Sequence, residues 1–203
     1  MAKIRHPEDT SHSMDTPSET TIHDTWDGRN YSVPWPGGVY RIFEKGTENV
    51  IALKAQSLCL RDVAESHNGY DLWLCVEAHG YFGFFNPKSG TYLGHNGKRD
   101  EIYASAVKFK AWECFTPRSH PDGGYQLLTP YYESTLKMVS VADDGRSLVR
   151  RPHGTTLWEF EKCDFTAFSS SPEAVKCKLH LRILMYYDVH NNFIAFLSFP
   201  KAL

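Results

Sequence analysis

Along residues 38 to 163 the apolar positions come in short bursts, aromatic or β-branched, separated by Gly, Asn, Asp and Ser. That is the pattern of short strands joined by tight turns. One plan recurs. The first copy opens with Gly38-Val-Tyr-Arg-Ile and ends with Leu72-Trp73-Leu-Cys75, and the second opens with Gly80-Tyr-Phe-Gly-Phe and ends with Ala111-Trp112-Glu-Cys114. The third opens with Gly124-Tyr-Gln-Leu-Leu and ends with Leu157-Trp158-Glu-Phe160. The opening glycines are 42 and 44 residues apart and the tryptophans 39 and 46 apart. Such a period defines an architecture before any single strand does.

Four strands are predicted in each copy. In the third they cover 125–128, 136–141, 147–150 and 157–160, with Asp143-Asp144-Gly145 turning the middle hairpin. Gly94-His95-Asn96-Gly97 is expected to turn the corresponding hairpin of the second copy. Twelve short strands in three equivalent units close a barrel capped by three hairpins, which leaves few exposed sheet edges. The expected fold is therefore all-β, a β-trefoil over residues 28–165, its last strand pairing with its first.

Trp73, Trp112 and Trp158 end the three copies and are expected in the core. Cys75, Cys114 and Phe160 each follow a tryptophan by two residues, on the same strand face, and are expected to pack with them. Residues 1–27 hold too few apolar side chains to offset the entropy of ordering a backbone, and are expected to form a disordered arm. Residues 166–203 do not fit the repeat. Their apolar runs are broken by Arg182, Asp188 and His190. A partly helical tail packed on the barrel, a partner-binding segment and a sequence artefact such as translated intron are all open.

Composition narrows the partner. Apolar residues make up 41% and aromatics 14%, which favours rings packed across strands. A formal charge of −2 supplies no basic field, so nucleic acid is not an expected partner. No apolar stretch is long enough to span a bilayer. Five cysteines without a Cys-x-x-Cys pair, and an N-terminus without an apolar signal core, point to reduced thiols and a cytoplasmic location, and a monomer is expected.

The segments Phe84-Phe-Asn-Pro-Lys-Ser-Gly-Thr-Tyr-Leu93, Glu101-Ile-Tyr-Ala-Ser-Ala106, Trp112-Glu-Cys-Phe115, Gly124-Tyr-Gln-Leu-Leu128 and Asp144-Gly-Arg-Ser-Leu148 resemble fascin-type trefoils. The resemblance covers residues 38 to 163 and implies the actin-crosslinking-like superfamily, as in single-trefoil proteins of filamentous fungi. Fascin bundles filaments with several trefoils, so one trefoil would crosslink only as a dimer or through two faces. Ricin-type trefoil lectins instead carry Gln-x-Trp, and the positions two before the three tryptophans here are Asp71, Lys110 and Thr156.

Candidate chemistry is sparse. His67 and His153 fall in corresponding loops of copies one and three, but Val107-Lys108-Phe109 supplies no third histidine, so no metal site or other cofactor is expected. No nucleophile elbow or phosphate loop is present. Arg150 and Arg151, with Lys98 and Arg99 on another hairpin, could receive an acidic ligand through charge-assisted hydrogen bonds. The expected function is a non-catalytic module recognising a protein, actin-like filaments included, or a glycan through its loops. The alternative is a small cyclase- or isomerase-type enzyme using His67, His153 and Arg151 in a pocket.

Overall fold

The computed structural model describes residues 28–66, 68–97, 99–132 and 135–164. The expected arm and tail, His67 and Lys98 lie outside the described residues. Twelve strands follow one another: β1 Val39–Glu44, β2 Asn49–Lys54, β3 Ser57–Asp62, β4 Trp73–Ala78, β5 Tyr81–Asn86, β6 Thr91–His95, β7 Ile102–Ala106, β8 Thr116–Ser119, β9 Tyr125–Tyr131, β10 Thr135–Val141, β11 Leu148–Arg151 and β12 Trp158–Cys163. Helix among the described residues is limited to two single 3-10 turns, Val63–Glu65 and Ala111–Glu113.

Six strands close the barrel. β1 pairs with β4, β4 with β5, β8 with β9, β9 with β12, and β12 returns to β1 in register from Val39 opposite Cys163 to Glu44 opposite Trp158. The remaining gap, between β5 and β8, is bridged at Phe82 and Phe115, whose backbones exchange hydrogen bonds of 2.9 and 2.8 Å. The other six strands form three hairpins, β2 with β3, β6 with β7 and β10 with β11. This is a β-trefoil.

The pairing register gives the symmetry a residue-level form. Tyr40 faces Trp73, Phe82 faces Phe115 and Tyr125 faces Trp158, each pair 33 residues apart. Trp73, Phe115 and Trp158 are all fully buried. Two residues further on, Ile42, Phe84 and Leu127 form an equally buried second layer. The indole nitrogens of Trp73 and Trp158 donate to the carbonyls of Ile51 and Val139 at 2.8 and 3.1 Å, as a buried N–H requires. Phe115 has no N–H, so the second copy needs no such acceptor.

One core assignment is thereby corrected. Trp112 is not in the core: it sits in the 3-10 turn Ala111–Glu113 and is 53% exposed. The resemblance of Ala-Trp-x-Cys to Leu-Trp-x-Cys places the second repeat three residues early, whereas strand pairing assigns the core position to Phe115. Cys75 and Phe160 are core residues, as expected. Cys114 is also buried, but its thiol turns to the Lys110 carbonyl at 3.4 Å, so it is not the equivalent of Cys75. The Gln-x-Trp comparison also moves by three residues. The buried carboxylates of Asp71 and Glu113 and the hydroxyl of Thr156 occupy that position, still without glutamine.

Candidate functional site

The three hairpins are not chemically alike. In the first, Leu53 opposes Leu58 and Ile51 opposes Leu60, an apolar set throughout. In the second, His95 stands where the first has Leu53, opposite Ile102; in the third, Arg150 stands where the first has Leu60, opposite Val139. His95 and Arg150 are each only 3% exposed. Two polar side chains thus replace leucines at the seam between the second and third hairpins; the seam is arranged to satisfy Arg150, whereas Nδ1 of His95 is buried without a hydrogen-bond partner among the described residues.

Asp100 does most of this. It precedes β7, and its carbonyl accepts from the Arg150 backbone N–H at 2.8 Å, with Glu101 bridging to Val149 beside it. Its carboxylate accepts from Arg150 Nε at 2.7 Å and from Lys137 Nζ at 2.7 Å. Arg150 Nη1 also lies 3.1 Å from His95 Nε2 and donates to the Pro130 carbonyl at 3.4 Å. The Tyr131 ring covers both cations, 3.8 Å from Lys137 Nζ and 5.3 Å from the Arg150 guanidinium carbon. Two cations on one carboxylate leave the cluster net positive.

Electrostatics follow from that enclosure. Burial, reinforced by the Arg150 charge, lowers the His95 pKa to about 4, so the imidazole is neutral at physiological pH. Burial works against ionising Asp100, but the hydrogen bonds and charges of Lys137 and Arg150 outweigh it and hold its pKa below the ordinary carboxylate range. The Asp100 side chain is 40% exposed while that of Arg150 is 2% exposed. Asp100 is therefore a fixed, ionised acceptor whose inner side is bound and whose outer side meets solvent.

Trp112 lies against the other edge of the seam. Its ring is tilted over His95 with centroids 6.2 Å apart. It also flanks Gly97, where a Cβ would come 3.4 Å from the indole. Below it, Glu113 is buried and accepts from the Lys110 backbone N–H at 2.9 Å; burial raises its pKa despite that bond. Gly94 permits this approach, since a Cβ there would stand 3.0 Å from the Glu113 carboxylate and 3.2 Å from the Trp112 carbonyl. Beyond Tyr131, Tyr132 projects outward, 81% exposed, its ring edge-on to Tyr131 at 4.4 Å.

The sequence-based candidates redistribute. The hairpins carrying Arg99 and Arg150 do meet, but Arg150 is enclosed and spent on Asp100 and His95, so it is a framework residue and not a surface ligand. Arg151, its neighbour on the opposite strand face, pairs with Asp143 at 2.7 Å. Arg99 and His153 are exposed. Gly94 and His95 belong to β6 and not to the turn. His95, Asp100, Lys137 and Tyr131 were not singled out by sequence reasoning, although a His and an Arg interrupting threefold-equivalent leucine positions is a signal that alignment of the copies contains.

Among the described residues no group of three His, Cys, Asp or Glu could hold a metal ion. An open cleft of 350 Å³ lined by Arg29, Tyr31, Lys45, Thr47, Glu48 and Glu159 brings together neither His153 nor Arg151. No described helix is long and apolar enough to cross a membrane.

No family model matches the sequence, and no curated protein matches it. Solved structures do. The GlcNAcα1-4Gal-releasing endo-β-galactosidase of Clostridium perfringens superposes with a TM-score of 0.55 at 14% identity, covering 63% of this chain and 33% of its own. The ricin B-like lectin of Macrolepiota procera, in complex with lactose, gives 0.54 at 13% identity over 65% of this chain and 100% of the lectin. The Polyporus squamosus lectin, bound to the epitope Neu5Acα2-6Galβ1-4GlcNAc, gives 0.54 at 14% over 64% of this chain and 50% of its own. The chain thus spans about a third of the first, all of the second and half of the third. At this identity the likeness is one of fold.

Proposed function

We propose that this trefoil is a non-catalytic glycan-binding module whose site is the seam between its second and third hairpins. The carrying observation is an exposed indole packed on the hairpin that also holds a rigid, ionised acceptor: Trp112 stands against His95 and Gly97, and Asp100, three residues after Gly97 in the β6–β7 connection, is held by Arg150 and Lys137. A pyranose offers an apolar C–H face, which an exposed aromatic ring covers, and hydroxyls, which a carboxylate accepts. Both partners are held by the fold, so little ordering entropy opposes binding. The solved lectins that share the fold support the reading.

Screening the full chain on a glycan array tests it. Wild-type protein is expected to bind a defined subset of glycans and Trp112→Ala to lose that binding with its thermal midpoint unchanged. Wild-type protein that binds no glycan, or Trp112→Ala that binds as wild type, would overturn the reading. Actin co-sedimentation in parallel tests the protein-partner alternative suggested by the fascin-like segments, which requires pelleting with filaments that Trp112→Ala does not disturb.

A further inference from the structure

The seam carries a second exposed ring, and the backbone beneath it is unusual. Tyr132 adopts φ +54°, in the left-handed region that bulky side chains rarely occupy. The same residue leaves its ring 81% exposed. The corresponding β1–β2 and β5–β6 turns carry glycines, Gly46 and Gly90, at positive φ, so the third copy places a bulky ring where the turn favours glycine, and that ring gains little burial. Asp100, the acceptor of the seam, is likewise at φ +55°.

The order of groups across the seam is informative. Trp112 lies beside His95, His95 contacts Arg150, Arg150 lies under Tyr131, and Tyr131 holds Tyr132 edge-on at 4.4 Å. The ring of Tyr131 is held by Lys137, whose Nζ sits 3.8 Å from its centre and is itself tied to Asp100. Two exposed aromatic residues, Trp112 and Tyr132, are thus linked through one ion-paired frame.

We infer that Tyr132 is a second stacking subsite and that the ligand is an oligosaccharide, Trp112 covering one sugar and Tyr132 another across Asp100. This rests on the glycan reading of the same seam. Asp100 accepts hydroxyl hydrogen bonds between the two subsites, and its depressed pKa keeps it ionised. The ligand is selected by length as well as by sugar.

The test is titration calorimetry of the full chain with a size series, one to four sugar rings, of the oligosaccharide bound most strongly on the array. Tyr132→Asn removes the ring while keeping a residue that tolerates positive φ, and Tyr132→Phe keeps the ring. Wild-type affinity is expected to rise with length. Tyr132→Asn is expected to weaken the longer members about tenfold, the equivalent of one stacking contact, while leaving the single sugar within about twofold. Tyr132→Phe should behave as wild type. Equal loss on every member, or no loss on any, would overturn the second subsite while leaving the Trp112 reading in place. Failure of wild-type protein to bind any glycan overturns both.

Discussion

The first hairpin and the seam of the second and third occupy equivalent places around one threefold axis, yet they are built on different chemistry. Leu53, Leu58 and Leu60 of the first hairpin bury apolar surface and need no partner. At the seam His95 and Arg150 occupy two of the equivalent positions; Asp100, Tyr131 and the Pro130 carbonyl are recruited to satisfy Arg150, with Lys137 as a second cation on Asp100. Buried ion pairs of this kind are often no more stabilising than apolar residues of the same volume. The fold stands at the first hairpin without a charged network, so its presence at the seam is accounted for by the surface it holds in place. Symmetry thus separates what the barrel requires from what has been added.

The comparison breaks most sharply at Arg150. Arg150→Ala leaves Lys137 and Asp100 to one another, removes the charge-assisted hydrogen bonds of the guanidinium and empties an enclosed space, and is expected to destabilise the chain by about 2–4 kcal/mol. Urea denaturation measures this, and a loss under about 1 kcal/mol would place the network outside the cooperative fold. Phe115→Ala is expected to cost a similar ~3–5 kcal/mol by leaving a cavity at the pseudo-threefold layer. Trp112→Ala should change stability by no more than ~0.5 kcal/mol. The reverse ranking would restore Trp112 to the core and refute the register.

Acid sharpens the contrast. Because the fold lowers the His95 pKa from 6.5 to about 4, the unfolded chain binds the extra proton, and stability falls as pH falls through that window. The loss is expected to reach ~3 kcal/mol near pH 4. The Asp100 contribution is retained there and goes only as pH falls below the ordinary carboxylate value of 3.8. His95→Leu, which copies the first hairpin, should flatten the pH dependence between 6.5 and 4 in denaturation curves. An unchanged slope would mean that His95 does not carry it.

The barrel was legible in the sequence because each copy repeats one pattern of bulky residues between turn residues, and the closure of β12 on β1 follows from it. What misled was local similarity. A tryptophan at 112 flanked by alanine and cysteine imitates the end of the first copy, while the true equivalent is Phe115, whose core role shows only in its pairing with Phe82. The seam was harder to see, since Asp100 and Arg150 are 50 residues apart and meet only through barrel closure. The basic residues around 98–99 and 150–151 did mark the two hairpins that meet, but charge along a chain does not say which guanidinium is enclosed. Alternation does: Arg150 shares a face with Leu148 and turns inward, and Arg151 turns out to Asp143.

Two exposed tryptophans offer the most direct decision. Trp35 is also solvent-facing but packs edge-on to Phe82, on the barrel strand that pairs with Phe115 and not on the hairpin seam. Calorimetric titration of wild-type, Trp112→Ala and Trp35→Ala chains with the strongest array glycan compares the two directly. Binding that survives at position 35 and vanishes at position 112 is the expected result. Binding that vanishes at 35 and survives at 112 would contradict it.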